Sequence, residues 1–190
     1  MIAVFSFLFF IFSCLYFFLP IYLANMTPPL VKNLPFLRNF NTPVDFGFKL
    51  RNHYLFGDHK TWRGVICAIM VGTVAVLVQG WLESNFKLFQ KISLVDYGGF
   101  NLFSLGILMS AGAMAGDLGA AFIKRRIDLK PGEAFMPWDQ TNYVIGSFIF
   151  LQPYVHFSWI IWTILFVSTF FLHLLINRWG YMLGLHKAKW

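Results

Sequence analysis

The feature that most constrains this chain is a series of long stretches almost free of charge. Residues 1–23 contain no Asp, Glu, Lys or Arg. A helix needs about twenty mainly apolar residues to cross the hydrocarbon core of a bilayer while pairing its own backbone groups. Four further stretches meet or approach that length, at about 65–82, 100–122, 141–154 and 156–176. The stretch at 141–154 is short and ends at Gln152-Pro153, a turn signal. The first stretch lacks a basic start and an A-x-A-like site, so a retained helix is expected over a cleaved signal peptide.

Composition closes off the water-soluble alternatives. With 58% hydrophobic and 12% charged residues, the chain has too little polar surface for a soluble domain. Cys14 and Cys67 sit in apolar runs without disulfide or zinc spacing. A net charge of +7 would suggest nucleic acid in a soluble protein, but here it is first a topology signal, and no nucleic-acid partner is expected. Every Lys and Arg other than Lys87 and Lys91 falls before the second stretch, between Asp117 and Gln140, or in the tail. The positive-inside rule then puts the N-terminus outside and the C-terminus in the cytoplasm, with both long loops, about 24–64 and 123–140, on the cytoplasmic face. The expected fold is an all-α integral membrane protein with five transmembrane helices, a single membrane domain over 1–190, multi-pass in the cell membrane.

Within that frame, ionisable residues at the membrane edge are functional candidates, because each costs about 2.5–3.5 kcal/mol at a helix centre. Asp117 interrupts the third stretch and precedes Lys124, Arg125 and Arg126. Seven residues make almost two helical turns, so a continuous helix puts Asp117 and Lys124 on one face with Ala120 and Ala121 as a small-residue floor between them. Basic anchoring of a membrane helix requires no acid. A carboxylate beside three cations suits Mg²⁺ with bound phosphates, and Asp139 is the natural second carboxylate from the same side. Gly112, Gly116 and Gly119 read as close helix contacts, within the chain or in a homo-oligomer.

A second cluster lies at Phe56-Gly57-Asp58-His59-Lys60-Thr61-Trp62-Arg63-Gly64, just before the second stretch. It lacks the glycine spacing of a P-loop, but Lys60, Thr61 and Arg63 place two cations and a hydroxyl where a phosphate can bind. The segment from Asn25 to Arg63 holds Pro28, Pro29, Pro35 and Pro43 and is expected to be irregular. No G-x-S-x-G elbow, H-E-x-x-H or Rossmann glycine pattern is present, and His156 and His173 read as interface or packing residues. Phosphate chemistry tolerates these absences, since a phosphate monoester is already ionised at neutral pH and needs no side-chain base.

Taken in order, Tyr22-Leu23-Ala24-Asn25-Met26-Thr27-Pro28, the Phe56–Gly64 cluster, Gly116-Asp117-Leu118, Phe122-Ile123-Lys124-Arg125-Arg126, Lys130-Pro131-Gly132 and Asp139-Gln140 resemble the CDP-archaeol synthase family, membrane relatives of the phosphatidate cytidylyltransferases. Leu183-Gly184-Leu185 and Trp190 extend the likeness into the tail. The resemblance implies a five-helix membrane enzyme that uses Mg²⁺ to transfer CMP from CTP to a lipid phosphate, 2,3-bis-O-(geranylgeranyl)-glycerol 1-phosphate, with release of pyrophosphate. It implies that Asp117 and Asp139 hold the metal and, with Lys124 and Arg125, form the catalytic set. Arg126 joins Lys124 and Arg125 on the triphosphate, and Lys60 with Arg63 takes phosphate on the lipid or nucleotide. Lys130 matches a lysine in the signature of the wider cytidylyltransferases, and Asn25, Asp58 and Thr61 are expected to orient groups by hydrogen bonds. Ala121 stands where the wider group has Ser, Pro131 where it has Asp, and Gln140 where it has a basic residue. The last two departures favour the archaeol branch. Two alternatives stay open on these residues: a phosphatidate cytidylyltransferase acting on ester lipid, since head-group motifs say little about tails, and a non-catalytic lipid-phosphate-binding membrane protein.

Overall fold

The structure is a computed structural model and describes residues 2–32, 34–37, 39–51, 53–129 and 133–182. It is a helical bundle: α1 (Ile2–Val31), α2 (Trp62–Asn85), a short α3 (Lys87–Ile92), α4 (Leu102–Arg126), α5 (Trp138–Val155) and α6 (Trp159–Met182). A two-stranded antiparallel hairpin, β1 (Lys49–Leu50) with β2 (His53–Tyr54), interrupts the loop between α1 and α2. Four of the helices are long and apolar enough to cross a membrane: α1, α2, α4 and α6. The fifth expected span, α5, is a helix, but at 18 residues it is only about 27 Å long, and its first turn carries Asp139, Gln140 and Thr141, with Asn142 next.

Two expectations about helix ends need correction. The chain from Asn25 to Val31 continues α1, with Pro20, Pro28 and Pro29 inside the helix. A proline removes a helical hydrogen bond, but neighbouring helices and hydroxyls compensate in a membrane. Here the observed support is packing: Pro28 lies so closely on Gly64 that a β-carbon there would be 3.1 Å away. Likewise Pro153 does not end α5. That helix runs to Val155 and stops at His156, whose φ of 50° is left-handed. Gln152 spans the turn, donating to the Phe157 carbonyl at 3.0 Å and accepting from Trp162 Nε1 at 2.6 Å.

Lipid tails are as apolar as the helices, so close packing and polar contacts must hold the bundle together. Phe17, Phe18 and Ile21 of α1, Val76 of α2, Leu105 and Met109 of α4, Leu151 of α5 and Leu165 of α6 are fully enclosed or nearly so. The tightest seam is α4 on α5. A β-carbon on Gly112 would stand 2.8 Å from Ser147 Cα, and one on Gly116 or Gly146 would run into the facing backbone. The expected Gly112-x-x-x-Gly116 contact is therefore made within the chain. At Gly119, by contrast, a β-carbon would meet nothing within 4 Å. Tyr22 and Thr169 share a 2.7 Å hydroxyl hydrogen bond that ties α1 to α6.

The chain direction brings one set of ends together. The C-terminal ends of α1, α4 and α6 and the N-terminal ends of α2 and α5 meet at one end of the bundle, and α3 with the segment up to Asn101 closes the other.

A charged cavity at one end of the bundle

Lys60 is placed by a small piece of backbone pairing. Val44 N donates to the Lys60 carbonyl at 2.7 Å and Trp62 N to the Thr42 carbonyl at 3.0 Å. Behind it, the buried carboxylate of Asp45 accepts from Gly47 N and Phe56 N at 3.0 Å and from Gly57 N at 3.2 Å. Burial disfavours the charged form of Asp45, but these backbone donors outweigh it and hold the carboxyl below its ordinary pKa. Gly57, at φ 100°, is the turn that lets this loop lie against Arg125.

From that platform Lys60 Nζ reaches across to α4 and contacts both oxygens of Asp117, at 2.6 and 2.7 Å. Two turns on, Lys124 Nζ contacts Asp139 in the first turn of α5 at 2.9 and 3.1 Å, and also donates to the Glu133 carbonyl. Asp139 further accepts from Phe135 N at 2.9 Å. The helix is continuous, so Asp117 and Lys124 do share a face, but each takes its counter-ion from another segment.

Three adjoining cavities, of about 510, 360 and 170 Å³, all include Lys60 and Asp117 in their walls. The largest lies under the loop, bounded by Asp58, Arg63 and Pro28. The second reaches Asn25, Asp139 and Lys124. The smallest has Ala120 and Ala121 between Asp117, Lys124, Arg125 and Asp139, which is the small-residue floor the spacing predicts. The N-termini of α2 and α5 point their partial positive charge toward this region, which favours phosphate.

The remaining predicted residues divide in their surroundings. Thr61 caps α2, its Oγ1 accepting from Gly64 N at 3.3 Å. Arg63 is buried and donates to the Leu37 carbonyl at 2.8 Å and Asn41 Oδ1 at 3.1 Å, which fastens the loop while it lines the largest cavity. Asp58 is exposed at the rim, 3.5 Å from His59. Arg125 donates to the Leu129 carbonyl. Arg126 is stacked 4.6 Å over Phe122, a contact made away from the Asp117 face of α4. Lys130 lies outside the described residues, as do Pro131, Gly132 and the 183–190 tail.

Several cavity residues escape the sequence reading. His173 and Asn177 of α6 line the second cavity, their Nδ1 and Nδ2 atoms 3.1 Å apart, and Gln140 and Asn142 of α5 line it as well. The signal was present: Thr169, His173 and Asn177 recur at four-residue steps in an otherwise apolar helix.

The donor set also decides what kind of metal fits. Among the described residues no three His, Cys, Asp or Glu side chains gather into a metal-binding cluster. Two aspartates on adjoining walls, with room for phosphate oxygens, fit a hard cation that arrives with phosphate.

Comparison with known proteins bears on the family and the fold. The family model described as CarS-like, CDP-archaeol synthase, matches residues 7–190. The chain belongs to the CDP-archaeol synthase family. Among CDP-archaeol synthases it is 31% identical over 181 residues to that of Pyrococcus furiosus, covering 95% of each chain. It is 32% identical to that of Thermococcus kodakarensis, over 95% of this chain and 96% of that one, and 32% identical to that of Methanocaldococcus jannaschii, over 95% and 97%. A solved structure described as an intramembrane enzyme for archaeal membrane lipid biosynthesis shares the fold, with a TM-score of 0.66 and 24% identity over 85% of this chain and 90% of that one.

Proposed function

We propose that this CDP-archaeol synthase family member transfers the cytidylyl group of CTP to 2,3-bis-O-(geranylgeranyl)-glycerol 1-phosphate, forming the CDP-activated lipid and releasing pyrophosphate. Family membership over residues 7–190 carries this reading. The ion-paired cavity supports it.

A phosphate oxygen of the lipid attacks the α-phosphorus of CTP. The new P–O bond forms as the bond to the β-phosphate bridging oxygen breaks, and pyrophosphate leaves. The nucleophile is already ionised, so the protein's task is to hold two mutually repelling phosphates in line and to offset the charge that builds on the leaving group. Lys60 and Lys124 suit that task because each is a cation held by an aspartate at the cavity wall, where an incoming phosphate can compete for it. Arg125 faces the same cavity, and Arg63 keeps its loop in place. Asp117 and Asp139, once their lysines turn to substrate, are the two carboxylates that would hold Mg²⁺. Bound there, Mg²⁺ would supply neutralising charge for the triphosphate. Asn25, Asp58 and Thr61 bound or support the cavity, and Lys130 completes the proposed substrate-binding set, with Arg126 joining it only by leaving its place over Phe122.

The proposed orientation has α1, α2, α4, α5 and α6 all crossing the cell membrane as one domain, with the N-terminus outside and the cavity open to the cytoplasm. Supporting it, Lys60, Lys124 and Arg125 gather at one end of the bundle, while Lys87 and Lys91 lie within α3 at the other. α5 is short for the bilayer, but packing against α4 shields its polar first turn.

Purified protein given radiolabelled CTP, Mg²⁺ and a panel of lipid phosphates is expected to form a CDP-lipid from the geranylgeranyl ether substrate. Absence of labelled lipid from every member of the panel overturns the reading.

A further inference from the structure

An apolar groove of about 200 Å³ runs along the α4–α5 seam, on the side away from the loop platform. Its floor is Gly116, Gly119 and Gly146, and its walls include Ile123, Trp138 and Ile149. Ile149 is 62% exposed and Ile123 43%, so the groove opens sideways, where a bilayer would lie. At its charged end it meets the catalytic cavities: Ala120 belongs both to the groove and to the 170 Å³ cavity, and Asn142 both to the groove and to the 360 Å³ cavity.

Asn142 marks the junction. Its side chain is 7% exposed, and its Oδ1 has no hydrogen-bond partner among the described residues. An unmet buried amide oxygen is costly, and a half-turn of the carboxamide would present its NH₂ in the same place. A polar group therefore belongs at this point, with hydrocarbon on one side and cations on the other. That order of charge, polar linkage and apolar channel matches a glycerol lipid phosphate: the phosphate beside Lys124 and Lys60, the glycerol oxygens at Asn142, and a tail in the groove.

We propose that the α4–α5 groove holds one hydrocarbon tail of the lipid phosphate substrate, and that Gly119 keeps it open. The proposal rests on the lipid-phosphate reading above. The glycines of this seam differ in what they do. Gly112, Gly116 and Gly146 are required for the helices to touch, whereas Gly119 faces only open groove. A residue that helices disfavour, with no packing to explain it, is accounted for if the space above it must stay empty for a ligand.

The test labels the full-length protein in nanodiscs with a lipid phosphate that carries a diazirine midway along one tail, and maps adducts by mass spectrometry. Adducts on residues 119–123 and 145–149 that an excess of unlabelled lipid phosphate removes are expected, with at least a fivefold loss in Gly119→Leu. In steady-state assays Gly119→Leu should raise KM for the lipid at least fivefold while KM for CTP stays within twofold. Adducts that map to other helices, or that a phosphate-free lipid competes equally well, overturn the proposal, because the groove then holds only bulk lipid. CDP-lipid formation alongside misplaced adducts would sink the groove alone, and competed groove adducts without any CDP-lipid would sink the enzymatic reading alone.

Discussion

Lys60 Nζ bridges both carboxylate oxygens of Asp117, at 2.6 and 2.7 Å, across 57 residues of chain. The pair joins the loop before α2 to α4 at the point where three cavities meet. Asp117→Asn and Lys60→Met are each expected to lower kcat/KM for CDP-lipid formation at least about a hundredfold, the scale seen when one preorganised charge contact is removed. The double variant should be little worse than the poorer single one, since partners that act as a unit are not additive. Turnover of radiolabelled CTP measures this, and wild-type rates in both singles would remove the pair from the site.

Asp139 lies at the N-terminus of α5 and shares its oxygens between Lys124 and Phe135 N. With Asp139→Asn, the Mg²⁺ concentration for half-maximal rate is expected to rise at least about tenfold, because even outer-shell changes cost that much in metal affinity. Titration of Mg²⁺ at saturating CTP reads the shift. An unchanged midpoint would exclude Asp139 as a metal ligand.

Asp45 gives the loop platform a pH dependence of defined sign. Its carboxyl titrates lower in the folded chain than the roughly 3.9 of an unfolded Asp, so the stability it contributes is complete above that value and is lost as pH falls through the lower folded one. Protease cleavage within residues 44–61 should therefore rise as pH is lowered below about 4, and Asp45→Ala should loosen the loop by about 2 kcal/mol at neutral pH, where charged hydrogen bonds are lost. A loop equally resistant in the variant would refute this role.

The α4–α5 seam separates glycines needed for packing from the one that is not. Gly116→Leu is expected to destabilise the protein by at least about 1–3 kcal/mol through overpacking, read as a lower thermal midpoint in detergent, while Gly119→Leu keeps or raises that midpoint. Equal midpoints for the two would contradict the seam geometry.

How far the sequence anticipates all this depends on whether a feature is local. The long apolar runs mark four spans, and helical spacing alone places Asp117 and Lys124 on one face with Ala120 and Ala121 between them. The counter-ions were out of reach because they depend on which segments pack together: Lys60 and Asp139 come from a loop and a different helix. Pro28 and Pro29 mislead for a related reason, since their helix runs on to Val31 with Pro28 packed on Gly64, far along the chain. His173 and Asn177 were legible as polar residues one turn apart in an apolar helix, but a lone histidine in such a setting reads equally well as packing. Asp45 has no such signal, because an Asp in a loop shows its three backbone partners only after the loop has closed.

The two lysine–aspartate pairs make the cavity a late product of biogenesis. As the chain emerges from the ribosome, Lys60 waits for α4 before it meets Asp117, and Lys124 waits for α5 before it meets Asp139. A nascent chain arrested after α4 would carry unneutralised cations at the membrane edge and an exposed glycine face along Gly112 and Gly116. Docking of α5 settles both deficits at once, so the second ion pair and the tightest helix seam form in a single step, ahead of the Tyr22–Thr169 bond that only α6 can bring.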